Sequence, residues 1–307
     1  MGILILLFSF YAKELDYALI YKAVFRGVVF TVVYFYTLSS SLGESSIFFK
    51  GLQQNIFSFI LICFAPMVVF YAKDRYGQGW AVVASILIVL AGTLSGSRSG
   101  SILTLLTCFL TLYSNRLNIP QLIILAVLFL SGSLLIQLEV VKSTIFSLNE
   151  RTYYIIYETE ETLVTDQSYL FRLAQVEKGL GLFQENPFFG IGLNNFPYKP
   201  YNFKGDFEGF EKLKGVGDYL EQASSHNSYI GVLAEGGLFL FIPFVLIIIL
   251  LLVYFIRNFR SMPDYQKPFF WGIVGMGIHL YFIFAIVNVF AWLLLAIAAS
   301  TIKYNKK

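Results

Sequence analysis

Three side chains in this sequence have the chemistry to act on a phosphate-bearing substrate. They are Arg98 in Ser97-Arg98-Ser99, Arg172 in Tyr169-Leu170-Phe171-Arg172, and His226 in Ser224-Ser225-His226-Asn227-Ser228. A guanidinium offers a fixed fork of donors that suits phosphate oxygens. A neutral imidazole accepts a proton near neutral pH. Each residue also has a plainer reading. Arg98 can sit on lipid phosphate, Arg172 can pair with a nearby carboxylate, and His226 can belong to a polar cluster that caps a helix.

The elements that must position these groups are read from composition. The chain has 307 residues, 57% hydrophobic and 13% charged, with mean hydropathy +0.69. Soluble domains carry about 25% charged residues, so the expectation is an all-α, polytopic transmembrane helix bundle. A span needs about 20 apolar residues. Met1 to Tyr11 is shorter than that and reads as an N-terminal stub, either a helix lacking its beginning or an interfacial segment. About eight spans follow: Tyr17–Ser40, Asn55–Tyr71 with Pro66 inside, Gly79–Leu94, Ile102–Tyr113, Pro120–Leu138, Tyr229–Ile256 as one long helix or a bent pair, Phe269–Ile286 and Val289–Ile302. The expected division is residues 1–138 as N-terminal membrane helices, 139–226 as one large, partly helical loop, and 227–307 as C-terminal membrane helices.

That loop holds most of the acidic and turn residues and a dense run of Tyr and Phe. Unsatisfied polar groups in lipid cost several kcal/mol each, so it lies outside the hydrocarbon. At roughly 90 residues it is far longer than an ordinary connection, and its aromatic content argues against disorder. Lys73 and Arg75, Arg116, Arg257, Arg260 and Lys267, and the C-terminal lysines fall on alternate connections. The excess of cations on cytoplasmic loops makes that face cytoplasmic. The long loop and the 95–100 turn are then external. Arg98 is the one basic residue in a tight external turn, which makes it a functional pointer.

Other features exclude function classes. No basic cluster interleaved with aromatics suggests nucleic acid. Cys63 and Cys108 lie in apolar runs and read as buried thiols rather than a disulfide or zinc site. Gly96-Ser97-Arg98-Ser99-Gly100 has Arg where a nucleophile elbow needs Ser. Gly179-Leu180-Gly181 and Gly190-Ile191-Gly192 lack the parallel-sheet context of a dinucleotide site. The loop carboxylates, Glu158, Glu160, Glu161, Asp166, Asp206, Glu208 and Asp218 among them, show no metal-ligand spacing and read as a solvated face. Gly92, Gly96 and Gly100 recur every four residues, a spacing that lets helices approach closely. His279 lies mid-span, where a structural hydrogen bond is expected. A transporter is disfavoured, because no internal repeat is visible and the polar groups gather at one face.

Four features occur in a telling order: Ser97-Arg98 at an external helix end, Arg172 with its aliphatic helix, Asn186-Pro187-Phe188-Phe189-Gly190-Ile191-Gly192, and His226-Asn227 leading to Glu235-Gly236-Gly237. In this order the chain resembles the O-antigen ligase and polymerase superfamily over roughly Ser45 to Ile256. The resemblance implies a bacterial inner-membrane glycosyltransferase of lipopolysaccharide or polysaccharide biosynthesis. Such enzymes move a glycan from undecaprenyl diphosphate to a saccharide or lipid-linked saccharide acceptor on the periplasmic side, without metal or other cofactor. For such a reaction the chemistry of the side chains assigns Arg98 and Arg172 to the leaving diphosphate and makes His226 the candidate general base. Asn194, Asn227, Tyr198 and Tyr201 are the candidate sugar-binding residues, although Tyr198, Tyr201 and Phe203 suit the loop's own core equally well. Apolar grooves between spans are expected to hold the polyprenyl tail. Ligase and polymerase share donor chemistry and stay unresolved at this level, and a non-catalytic interaction protein is the remaining alternative.

Overall fold

The computed structural model describes residues 16–42, 54–95, 97–113, 143, 167–216, 220, 222–285 and 288–304. These residues form α-helices, 3-10 turns and loops, with no strand among them. The expected N-terminal stub, the fifth span over residues 120–138, Arg116, Gly96 and the first part of the long loop lie outside the described residues. The helices are α1 (Tyr17–Leu42), α2 (Gln54–Tyr76), α3 (Gln78–Leu94), α4 (Arg98–Tyr113), α5 (Gln167–Glu185), α6 (Ser228–Asn258), α7 (Lys267–His279) and α8 (Val289–Tyr304). Three of them, α1, α2 and α6, are long and apolar enough to cross a membrane, and α3, α4 and α8 contribute shorter apolar helices. Among the described residues, three helices therefore have the length and composition of a full span.

The chain divides into two compact units. The first holds α1–α4, Asn227–Tyr229 and everything from Phe239 onward. Its hub is α2, which packs against α1, α3, α4, α7 and α8. Most of the apolar window of α2 is buried, 78%, against 17% for α1. A helix apolar all round belongs in the interior, and α2 continues through Pro66 to Tyr76 without a break. Small residues set the approach distances. A Cβ at Gly100 would strike the Ser58 side chain, and one at Gly272 would meet the Cys63 carbonyl oxygen at 2.6 Å. Gly92 makes only ordinary contact with Thr104 and Leu61, so the close approach expected of the glycine series falls at Gly100.

The span expected over Phe269–Ile286 is shorter than the sequence suggests. The helix α7 ends at His279, and the chain turns through Leu280–Ile283. Ser228 fastens this turn. Its N–H donates to the carbonyls of Leu280 (2.8 Å) and Ile283 (3.0 Å), and its Oγ donates to Ile283 O and accepts from the Ala285 N–H. Hydropathy does not register this exchange of backbone bonds. His279 is fully buried beneath this turn, its ring 6.1 Å from that of Phe59.

The second unit comprises α5, the chain that follows it to His226, and the Ile230–Leu238 stretch of α6. Two small cores hold it together. Leu170, Ala174, Leu213 and Leu220 form one, with Phe171, Phe203, Phe207 and Phe210 around them. Leu182, Phe196 and Ala234 form the other, with Ile191 and Tyr201.

Candidate functional site

The second unit is organised by α5 and by a break in α6. On α5, Arg172, Gln175 and Lys178 follow at three-residue spacing. Arg172 is half-buried, whereas Gln175 and Lys178 are completely buried. Gln175 Nε2 donates to the Leu220 carbonyl at 2.7 Å and ties α5 to the returning chain. The Lys178 ammonium stands 5.1 Å from the centre of the Phe196 ring, a cation–π geometry. The Phe196 N–H in turn donates to Glu235 Oε1 at 3.1 Å. On the next position round the helix, the Glu177 carboxylate accepts from the backbone N–H groups of Lys204 (2.5 Å) and Gly205 (3.4 Å).

Gly237 breaks α6, with φ 57° and ψ −163°. A break frees backbone carbonyls and N–H groups that need partners when buried. The Pro187–Gly192 loop supplies them. Ile191 N–H donates to Ala234 O (3.0 Å), Gly192 N–H to Glu235 O (3.0 Å), and Leu238 N–H to Pro187 O (2.9 Å). The loop can lie this close because Gly190 and Gly192 adopt φ of 66° and 94°. A Cβ at Gly190 would overlap the Glu235 backbone, and one at Gly237 would overlap that of Phe188. The Pro187–Gly192 loop is therefore one half of a lock, whose other half is the bent form of the sixth expected span.

His226 closes the unit. It has φ 47°, one of two non-glycine residues described with positive φ, the other being Asn194 at 60°. Positive φ is uncommon outside glycine and gathers at functional sites and turns. The half-buried imidazole meets the Phe171 ring edge-on at 5.6 Å. Burial, and then the positive charge of Arg172, hold its pKa below the usual histidine value. The ring is therefore neutral at pH 7, the state a general base requires.

The other sequence candidates are placed as follows. Asn227 is buried, and its Oδ1 accepts the Tyr229 N–H at 3.0 Å, which caps the start of α6. Asn194 is exposed in the glycine-rich turn. Tyr201 packs in the second small core against the face of α5 at Gly181, and its ring meets Phe203 at 5.2 Å. Tyr198 projects outward, 77% exposed, with Phe188, Phe189 and Leu193 also exposed. Arg98 belongs to the first unit and is the first residue of α4; its side chain lies outside the described residues. The turn before it is a buried serine cluster. Ser58 and Ser95 hydroxyls lie 3.2 Å apart, and Ser97 Oγ donates to Asn55 Oδ1 at 3.2 Å.

Residue-type reasoning passed over Gln175 and Lys178 and used Glu235 only as part of a motif. The signal was present for the first two: polar residues at three-residue spacing from Arg172 on one helix.

Comparison with protein families matches residues 82–245, just over half of the chain, to O-antigen ligase. The chain belongs to the O-antigen ligase family. The matched segment runs from α3 into α6 and so contains Arg98, Arg172, the glycine-rich loop, His226 and the Gly237 break. O-antigen ligase family membership carries a membrane function of the ligase or polymerase type in bacterial polysaccharide biosynthesis. No curated relative and no solved structure matches the chain.

Proposed function

We propose that the protein transfers a glycan from undecaprenyl diphosphate to an acceptor hydroxyl at the periplasmic face of the bacterial inner membrane. The observation that carries this reading is a family match containing both arginines and a histidine that burial and Arg172 keep neutral. In the proposed reaction, the acceptor O–H gives its proton to His226. The acceptor oxygen attacks the anomeric carbon, and the bond from that carbon to the diphosphate oxygen breaks. Undecaprenyl diphosphate leaves with the bonding pair. One displacement of this kind inverts the anomeric centre. Arg98 and Arg172 are assigned to the diphosphate, where charge develops as the bond breaks. Donors placed at developing charge stabilise the transition state more than the ground state. Tyr198, exposed beside the glycine-rich turn, and Asn194 are assigned to the sugar. Ligation and polymerisation differ only in the hydroxyl that attacks, so both fit this scheme.

The test is direct. The purified protein is supplied with a polyprenyl-diphosphate glycan and a saccharide acceptor. Release of polyprenyl diphosphate in step with glycan transfer is expected, also in the presence of a chelator. Transfer that occurs only with a nucleotide sugar, or that stops with the chelator, overturns the scheme.

A further inference from the structure

An open polar cavity of about 690 Å³ lies in the first unit, where α1 begins, α2 ends and the chain enters α7. Its wall carries three carboxylates, Asp16, Asp74 and Asp264, and two cations, Lys22 and Arg75. Tyr17 and Tyr265 line it with rings 5.0 Å apart. Asp264 is paired with Lys267 at 2.8 Å, and Asp16 caps α1 by accepting from the Ala18 and Leu19 N–H groups. Asp74 is exposed at the end of α2.

An apolar groove of about 470 Å³ lies between α1, α2 and α3. It is lined by valines of α1, by Val68 and Ala72 of α2, and by Trp80 and Leu87 of α3. Groove and cavity are neighbours: Phe25 of the groove is in ring contact with Tyr71 of the cavity at 5.2 Å. On α1 the groove runs from Phe25 to Val33 and on α3 from Trp80 to Ile88. Either stretch is about 12 Å of helix, close to the roughly 15 Å of hydrocarbon in one leaflet. Val29, Trp80 and Leu87 are exposed, so an apolar chain enters from the side.

A charged pocket at a helix end with a leaflet-deep apolar groove beneath it has the outline of one phospholipid. The charges select the headgroup. Lys22 and Arg75 suit a phosphate, and the carboxylates with the tyrosine faces suit an ammonium. Asp264 is engaged by Lys267 and Asp16 by the start of α1, which leaves Asp74 as the carboxylate placed for an ammonium beside Lys22 and Arg75. An ammonium with N–H donors can bond to carboxylates, whereas a trimethylated one cannot. We propose that cavity and groove together bind phosphatidylethanolamine, with its ammonium at Asp74 and one acyl chain in the groove. This site is independent of the glycan-transfer reading.

The test uses the full chain purified in detergent and incubated separately with dimyristoyl phosphatidylethanolamine, phosphatidylcholine or phosphatidylglycerol. Retained lipid is read by native mass spectrometry. Phosphatidylethanolamine is expected to be retained about tenfold over the other two, the ratio one charge-assisted hydrogen bond provides. Asp74→Asn, at an exposed position, is expected to lower phosphatidylethanolamine retention to that of the other two lipids, whose retention stays. Val29→Trp, which fills the groove, is expected to lower retention of all three lipids. Equal retention by the unaltered protein, a preference for phosphatidylglycerol, or a preference unchanged in Asp74→Asn overturns the proposal. So does competitive displacement of the lipid by a polyprenyl diphosphate, which would identify the groove as the donor's.

Discussion

Burial and the Arg172 guanidinium act on His226 in one direction. Both oppose the imidazolium, and burial is the larger. A lowered folded value means that the folded protein binds this proton less readily than the unfolded chain. The stability it represents is present above the unfolded value of about 6.5 and is lost as pH falls through the folded value. The chain has only two histidines, so proton NMR of the imidazole C2–H signals can follow His226, with His226→Gln making the assignment. The titration midpoint is expected below the usual histidine value. In Arg172→Gln it is expected to rise but to stay below that value, because burial persists. A midpoint that does not move in Arg172→Gln would remove the electrostatic link between the two residues. The same coupling predicts an acid limb in glycan transfer below about pH 6.5, as the base is lost.

At the scale of elements, the lock between the Pro187–Gly192 loop and the α6 break makes the sharpest demand on the sequence. Gly190 and Gly237 combine positive φ with backbone at the place where a Cβ would go, whereas Gly77, at φ 94°, has open space there. Gly77→Ala is therefore expected to cost about 1–2 kcal/mol, the price of left-handed backbone alone. Gly190→Ala and Gly237→Ala are expected to cost more than about 4 kcal/mol, the range of backbone disruption. Thermal unfolding in detergent, with limited proteolysis after α5, ranks them. Equal losses at all three positions would contradict the close approach. This lock also marks what could be read in advance. The glycine-rich motif was read as one of an ordered series, and the sixth span was expected as a helix or a bent pair. Their pairing joins residues some 45 positions apart through backbone bonds, and local composition holds no sign of it. The helix α5 ends at Glu185, where Asn186-Pro187 stops a helix. Lys178 was not legible, since a lysine on an amphipathic helix is ordinarily solvated, and here it is buried over the Phe196 ring.

At the scale of the molecule, apolar runs located the helices well. Seven of the eight expected spans coincide with described helices, α1 to α4 and α6 to α8. Length separated them poorly, because spans were judged by hydropathy and α7 is ended by hydrogen bonds to Ser228. The candidate residues were read from residue types and motif order, and the family match spans all of them. The account rests on chemistry shared by two guanidiniums and one imidazole. The most direct measurement is the rate of glycan transfer from a polyprenyl-diphosphate donor by purified Arg98→Lys, Arg172→Lys and His226→Ala proteins, each with an unchanged helical spectrum. Losing a positioned base typically costs about 10²–10⁴-fold in rate, and His226→Ala is predicted to fall in that range, with large losses in both lysine variants because a point charge does not replace a planar fork. Near-normal transfer by His226→Ala would contradict the account.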